Sequence, residues 1–443
     1  MYDPLVNAQL LPQQTHPNSY WAQSQPPQMP ASATLPARCE TVVIGGGYTG
    51  LNAALTLAGD YQREVTVLEA NELAWGCSGR NAGFVMPATG RLGYVQWERK
   101  HGFAMAQQIH SEQQAALERI EALLAVDTPV RSLQQVARGG YLKLAHDAKS
   151  AALLASQHAM LQRLGDQAQL YDAQAATAFI RTPIAKAALH FVQSFGIQPL
   201  AFAAQTAHVA AQAGAKLCSH TSVLGWRQQG DDHILKTNRG DIRAKHVIIA
   251  TNGYTPNHLH PSIHGRALPV LSSIMVTQPL SAAQQQAAGL SADHQFMDTR
   301  ALKYYFRLLP DGRLLFGGRG AIHGRDAERP QYAQHLLAAA RKTFPQLADA
   351  LQVEYFWSGW ISVALDDYPR VYSPAPGIFT SMGYCGAGVA FTSMAGKRLA
   401  QLSIGEPLPA LPYYQSGLPK FPFAGLRRLG QWGYYQAAQL LNW

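Results

Sequence analysis

The chain has 443 residues, 47% of them hydrophobic and 14% charged, which excludes a disordered protein and allows two or more domains with a substantial core. Its formal net charge is +9, but the basic residues are dispersed, so the balance favours acidic ligands or a membrane surface and argues against nucleic acid. The four cysteines, Cys39, Cys77, Cys218 and Cys385, form no close pair, which argues against metal knuckles, a redox-active dithiol and a disulfide framework.

Residues 1–38 are rich in Pro, Gln and Ser without periodicity, and read as an extended arm anchored by Tyr20 and Trp21. They lack the charged-then-apolar pattern of a signal peptide. No apolar run in the chain reaches membrane-spanning length, so a cytoplasmic location is the expectation. From Glu40 the pattern changes: TVVIGGGYTGLNAALTLA followed by REVTVLEA reads as strand, glycine turn, helix and strand, a βαβ unit. Residues 103–126 and 148–164 read as amphipathic helices, 189–199 as a strand and turn, and 199–214 as a small-residue helix. AKLCSHTSVLGWRQ, HILKTNRG and DIRAKHVIIATNG follow as strands. The segment 268–320 is strand-rich, with KYYFRLL and RLLFGG joined through Pro310-Asp311-Gly312 as a probable hairpin. A helix over 331–344, a strand in EYFWSGWISVAL, and a strand, loop and helix in GIFTSMGYCGAGVAFTSMAGKRLAQLS complete the pattern.

Gly45-x-Gly47-x-x-Gly50 lies between the first strand and helix, as a dinucleotide fingerprint requires. Gly45 allows the tight turn, Gly47 lets backbone approach a pyrophosphate, and Gly50 lets the helix pack closely on the strand. Glu69 ends the next strand nineteen residues later; a carboxylate there accepts hydrogen bonds from ribose hydroxyls and repels a 2′-phosphate, which argues against NADP. Two further glycine-bearing stretches, GCSGRNAGFVMP and GYCGAG, and the strand end VIIATNG suit a long cofactor lying across the domain better than a nicotinamide nucleotide. GYCGAGVAFTSMAGK is not a phosphate loop, because Phe391 stands where a glycine is needed and Arg398 follows Lys397.

Together VVIGGGYTGLNAAL…VLEA, GCSGRNAGF, VIIATNGY, YYFRLLPDGRLLFGGRG and GYCGAGVAFTSMAGKRLA resemble the FAD-dependent amine and amino-acid oxidases of the D-amino-acid-oxidase-like superfamily, in the branch containing γ-glutamylputrescine oxidase. The resemblance runs from about Tyr20 to the end. It implies an α/β fold, α+β overall, with a Rossmann-like FAD-binding domain and an interleaved substrate domain on a mostly antiparallel sheet plus helices. The expected division gives 39–100, 190–265 and 352–410 to the FAD domain, 101–189 and 266–351 to the substrate domain, and 411–443 to a C-terminal tail or helix.

The resemblance also implies roles. Gly45, Gly47, Gly50 and Glu69 would hold the ADP half of FAD, with Tyr48, Thr49 and Ala70 beside them. Gly76, Ser78, Gly79, Arg80, Asn81, Ala82 and Gly83 would line the pyrophosphate and flavin. Val223 would meet the adenine side, Ala250, Thr251 and Gly253 the pyrophosphate side. Gly383, Tyr384, Gly386, Gly388 and Val389 would reach the flavin ring. Two departures stand out: related sequences often have Asn-Gly-Arg where this chain has Cys385-Gly386-Ala387, and the strand LLFGG lacks a lysine that in some relatives assists reaction with oxygen. A quinone therefore stands beside O2 as the electron acceptor.

The implied reaction is hydride transfer from the carbon beside an amine nitrogen to the flavin, giving an imine, with a γ-glutamylated polyamine, an N-alkyl amino acid or a cyclic imino acid such as pipecolate as substrate. Arg80, Tyr305, Arg307 and Trp360 are the expected catalytic or substrate-contacting residues. Tyr305 and Arg307 share one face of a strand, and Arg307 would clamp a carboxylate; ordinary sheet packing is the competing reading for Tyr304, Tyr305, Trp357 and Trp360. No metal is expected, since His258, His260 and His264 have no carboxylate or cysteine to complete a set. Cys77 and Cys385 are small fillers or, alternatively, a covalent flavin link. The tail, with Arg427-Arg428 among aromatics, either packs on the body or lies on a membrane surface. A nicotinamide-dependent dehydrogenase and a non-catalytic flavin-binding protein remain the alternatives.

Overall fold

The strand Arg38–Ile44 is buried along its last four residues because it has neighbours on both sides, Gly240–Ile249 and Val65–Leu68, each parallel to it. A parallel strand covered on both faces reads as a continuous apolar run. The structure is a computed structural model and describes residues 1–440. The first sheet runs Arg370–Ala375, Ile378–Met382, Gly240–Ile249, Arg38–Ile44, Val65–Leu68, Lys216–Cys218, with the hairpin Val223–Gln229 and Asp232–Thr237 extending from Gly240–Ile249. The pairings from Ile378–Met382 across to Lys216–Cys218 are all parallel, so the carboxyl ends of five strands meet at one edge, where open α/β sheets place their ligands.

The chain leaves Ile44 through Gly45, whose φ is +108°, and enters the helix Tyr48–Leu55. A Cβ on Gly50 would lie 2.0 Å from the Gly45 carbonyl oxygen, so the third glycine of the motif permits the helix to sit on the turn. The helix Val389–Ser403 crosses it equally closely, with Gly396 against Asn52. Small residues at these crossings bring both helix N-termini to the same edge of the sheet.

The second sheet runs Val353–Val363, Leu268–Pro279, Arg313–Arg319, Tyr305–Leu308, Gln295–Asp298, Tyr141–Ala145, Ala187–Phe191, Gln169–Asp172. It is antiparallel except where Gln295–Asp298 pairs with Tyr141–Ala145. The expected hairpin is present, with Tyr305–Leu308 paired to Arg313–Arg319. Phe306 and Phe316 are paired residues whose rings stack at 5.4 Å, and both pack with Phe344 and Leu336 of the helix Pro330–Thr343 and its end. That fixes the sides: one face of the hairpin meets the helix, and Tyr305 and Gly317 face the other way.

The sheets cut across the expected division at two boundaries. Val353–Val363 pairs with Leu268–Pro279 along its whole length, so it belongs to the second sheet. Ala187–Phe191, cut by the expected boundary at 189, is also wholly in that sheet. The N-terminal arm lies across both sheets, with Tyr20 and Trp21 buried as expected. The tail ends in the helix Arg427–Leu440. Among the described residues no helix is long and apolar enough to cross a membrane, and no group of three potential metal ligands occurs.

Candidate active site

A cavity of about 450 Å³ runs from the carboxyl edge of the first sheet to the free face of the second. Its first section is built by the glycine turn. Gly45, Gly47, Tyr48 and Thr49 line it, as do Ala250 and Thr251 from the end of the neighbouring strand. Glu69 and Ala70 follow at the end of Val65–Leu68, with Val223 opposite. Both Glu69 oxygens are held: Oε2 accepts from the Gly46 amide at 2.8 Å and Oε1 from the Asn71 amide at 3.1 Å. Burial raises its pKa while these amides pull it down.

Next along the wall, the loop Gly76–Gly83 docks on the helix N-terminus: the Tyr48 amide donates to Ser78 Oγ at 2.9 Å. A Cβ on Gly47 would lie 2.8 Å from that oxygen, which explains glycine there. Gly76, Ser78, Arg80, Asn81 and Ala82 line the cavity. Asn81 closes the loop on itself, donating to the Ser78 carbonyl at 2.9 Å and accepting from the Gly83 amide at 2.8 Å. Arg80 is buried; its Nε donates to the Trp75 carbonyl at 2.8 Å and its Nη1 to the Ser358 carbonyl at 3.1 Å, with the guanidinium 4.3 Å from the Trp75 ring centre. Arg80 therefore ties the loop to the second sheet while contributing to the wall.

The third stretch is Tyr384–Val389. Tyr384, Gly386, Gly388 and Val389 line the cavity, at the N-terminus of Val389–Ser403. The Tyr384 hydroxyl lies 2.9 Å from Thr49 Oγ1 and donates to Ser381 Oγ at 2.7 Å, joining the two helix starts. Cys385 is buried with φ +56°, and burial pushes its thiol up to about 11; Cys77 is raised to about 11 for the same reason. Both thiols are protonated at neutral pH, as fits small fillers.

Several expected residues stand elsewhere. Gly50, Gly79, Gly83, Gly253 and Gly383 lie behind the wall, not on it: in each case added bulk would meet the next layer, such as the Ala74 carbonyl behind Gly79 and the Trp360 carbonyl behind Gly253. Trp360 is fully buried beneath the arm, donating to the Tyr2 carbonyl at 2.7 Å, and does not reach the cavity. Arg307 shares a face with Tyr305 as expected, but two residues along a strand is a displacement of about 6.6 Å. That carries its guanidinium past the wall to the Ile197 carbonyl, at 2.8 Å, and over Trp21 at 5.3 Å.

Tyr305 does line the cavity, its ring lying over Gly317, where a Cβ would be 2.2 Å away. Its hydroxyl is 2.8 Å from Ser272 Oγ, which donates to the Gly318 carbonyl at 3.1 Å, so the tyrosine supplies the proton between them. Burial pushes Tyr305 up to about 12, so it stays a neutral hydroxyl. Four cations missed in the sequence share this end: Arg91, Arg300, Lys303 and Arg319. Arg91 pairs with Asp367 at 3.4 Å and Arg300 with Asp298 at 2.5 Å. Lys303 and Arg319 have no hydrogen-bond or ion-pair partner among the described residues. Burial, with Arg319 and Arg91 nearby, lowers the Lys303 pKa. The signal for Arg319 was present: Leu315, Gly317 and Arg319 alternate opposite Tyr305.

A long cavity with exposed helix N-termini, glycines where backbone must come close, and a carboxylate held at one end suits a dinucleotide. The comparisons with known proteins agree. The family model described as FAD dependent oxidoreductase matches residues 40–402. Gamma-glutamylputrescine oxidoreductase of Escherichia coli is 30% identical over 421 residues, 94% of this chain and 95% of that one. Probable oxidoreductase OrdL of Rhizobium meliloti is 29% identical, covering 92% and 93%. The fold is shared with the crystal structure of glycine oxidase from Geobacillus kaustophilus, at a TM-score of 0.70 and 19% identity over 86% of this chain and 99% of that one. It is shared too with L-proline dehydrogenase from P. horikoshii, at 0.68 and 21% over 86% and 96%. The match across most of its length sets aside a nicotinamide enzyme: the chain belongs to the FAD dependent oxidoreductase family of which the D-amino-acid-oxidase fold is the scaffold.

Proposed function

We propose that the protein oxidises the C–N bond of an amine or imino acid that carries a carboxylate. The observation that supports this reading is the pair of unpartnered cations, Lys303 and Arg319, beside Tyr305 in the cavity. Both are half-buried; a cation partly removed from water gains from an anionic partner, and a substrate carboxylate would satisfy both. FAD, when bound, supplies the hydride acceptor. In this reading Gly45, Gly47, Glu69, Val223, Ala250 and Thr251 hold its ADP half, and Ser78, Arg80, Asn81, Gly386 and Gly388 surround the flavin. The amides at the start of Val389–Ser403 would stabilise negative charge there.

The chain's own residues then have defined tasks. Arg319 and Lys303 take the carboxylate, and the Tyr305 oxygen, whose proton is directed to Ser272, offers its lone pairs to the amine. The same two positive charges favour the neutral amine that the reaction needs. Hydride loss from a neutral amine needs no side-chain base, and Tyr305, Cys77 and Cys385, all held protonated, offer none. Substrates of this class include a γ-glutamylated amine, in line with the Escherichia coli relative's name, and a cyclic imino acid, in line with the L-proline dehydrogenase.

Anaerobic bleaching of the flavin across a substrate panel tests the reading. Amines bearing a carboxylate should reduce it and matched amines without one should not; no reduction by any member would leave a non-catalytic flavin-binding protein. The acceptor is O2 or a quinone, which turnover with each distinguishes. A peripheral membrane site on the cytoplasmic side fits the quinone: Leu426, Leu429, Trp432 and Leu440 are exposed at the helix Arg427–Leu440, whose other side carries the buried Arg427, Gln431 and Ala438. Co-sedimentation with anionic vesicles, lost in Trp432→Ser, would support it.

A further inference from the structure

Residues 9–16 of the arm form a strap along one end of the cavity. Gln9 Nε2 donates to the Leu224 carbonyl at 3.2 Å, and Ser222 Oγ donates to the Leu10 carbonyl at 2.9 Å. The Gln14 amide donates to Asn71 Oδ1 at 2.8 Å, the His16 amide to Glu72 Oε2 at 3.1 Å, and Trp75 Nε1 to the Thr15 carbonyl at 2.7 Å. Leu10 lines the cavity, as do Glu69 and Val223. The outer side of the strap is in solvent, with Leu11 69% exposed. Its two ends are fixed through buried groups. At the far end Trp21 Nε1 donates to the Asn81 carbonyl at 2.9 Å.

The near end is fixed by Asp3, which is buried. One carboxylate oxygen accepts from Arg428 Nη2 at 2.9 Å and the other from the Gly324 amide at 2.9 Å. Arg428 also donates to the Pro269 carbonyl at 2.8 Å and lies 4.7 Å from the centre of the Trp360 ring. Trp360 in turn donates to the Tyr2 carbonyl. Further along the helix that carries Arg428, Tyr434 lines the same cavity. The first residues of the chain and its last helix therefore each supply part of the cavity wall, and a buried ion pair joins them.

We propose that the arm and the C-terminal helix form a clasp over the adenosine end of the FAD site, locked by Asp3 and Arg428, which must open for the cofactor to enter or leave. The proposal rests on Glu69 marking the adenosine half. The physical argument is one of unequal anchorage. The strap's side-chain and rim hydrogen bonds are exposed or half-buried, so water replaces them as the segment lifts, whereas releasing Asp3 separates a desolvated charge pair and leaves each charge without its partner. The lock, not the strap, then sets the opening rate.

The test is the rate at which the loaded protein releases FAD on dilution, followed by the rise in flavin fluorescence. Asp3→Asn and Arg428→Met should each release FAD at least about tenfold faster than wild type, since differences of this kind fall mainly on dissociation. Deletion of residues 2–16 should do so at least as strongly. Glu40→Gln, which removes a partner of the exposed Arg63 with the same change of charge, should leave the rate unchanged. Should Arg428→Met fail to fold, Asp3→Asn and the deletion decide the question. Release within about twofold of wild type in both overturns the clasp. An FAD affinity unchanged by Glu69→Gln would instead remove the placement of the adenosine half, whatever the clasp variants do.

Discussion

The Arg307 guanidinium donates to the Ile197 carbonyl at 2.8 Å and lies over Trp21, while Arg319, on the neighbouring strand, faces the cavity with no partner among the described residues. Two arginines on adjacent strands thus have opposite tasks. Burial lowers the Arg307 pKa to about 10, and its Nε has no partner, so it serves the fold at some cost. Arg307→Met should change thermal stability without raising KM for a carboxylate-bearing substrate. Arg319→Met should keep the melting temperature and raise KM about 10- to 100-fold, the range for losing charged hydrogen bonds to a carboxylate. Melting curves beside steady-state kinetics check the split; a large KM effect from Arg307→Met alone would reverse the assignment.

Glu69 offers a second test. Its two oxygens are aligned by the Gly46 and Asn71 amides. Glu69→Gln puts an NH2 against one of these donors and turns an acceptor away from the ribose hydroxyls. FAD affinity should fall about tenfold or more, by the loss of a charged hydrogen bond and the creation of a donor–donor contact. Fluorescence titration of the apoprotein measures it.

These cases show what the sequence could and could not specify. The glycine fingerprint, Glu69 and the loops after 76 and 383 are legible as cavity wall because each is a matter of local spacing, such as the turn, helix start and strand end between Gly45 and Glu69. The hairpin was legible from alternation and its Pro-Asp-Gly turn. Alternation also placed Tyr305 and Arg307 on one face, but it cannot say how far the cavity extends along that face. Only the packing of Trp21 and Ile197 decides that Arg307 is outside. Trp360 was misjudged because its partner, the Tyr2 carbonyl, lies at the opposite end of the chain. Lys303 carries no motif, and Arg319 only its place in the alternation of its strand; that both lack partners is a property of the folded surroundings.

Cys385 occupies a left-handed conformation that suits glycine. Its amide donates to the Ser362 carbonyl at 2.8 Å, and its Sγ contacts the Gly383 carbonyl at 3.2 Å. With the thiol pushed up to about 11, alkylating reagents should react slowly at neutral pH. Cys385→Ser should retain FAD and substrate turnover. Cys385→Gly should also retain both, with relief of backbone strain of about 1 kcal/mol offsetting lost packing. Complete loss of flavin reduction in the serine variant, with FAD still bound, would restore a chemical role for the thiol.

Lys143 provides a pH-dependent test outside the cavity. It lies on Tyr141–Ala145, donates to Gln157 Oε1 at 3.1 Å, and has its pKa lowered to about 7, first by burial and then by the charge of Lys303. In the unfolded chain it titrates near about 10.4. Between these values the unfolded chain holds a proton that the folded protein has released, so stability rises with pH in that window. For one proton the slope is about 1.4 kcal/mol per pH unit. Below pH 7 both states are protonated and the contribution is flat, with the penalty fully present. Lys143→Met should remove the slope, so the stability gap between variant and wild type changes from about pH 7 to 10 and is constant below. Lys303→Met should move the lower edge of that window upward, because it removes the neighbouring charge that disfavours protonation of Lys143. Denaturant unfolding at half-unit pH steps measures both effects, and parallel curves for wild type and Lys143→Met would show that Lys143 titrates normally.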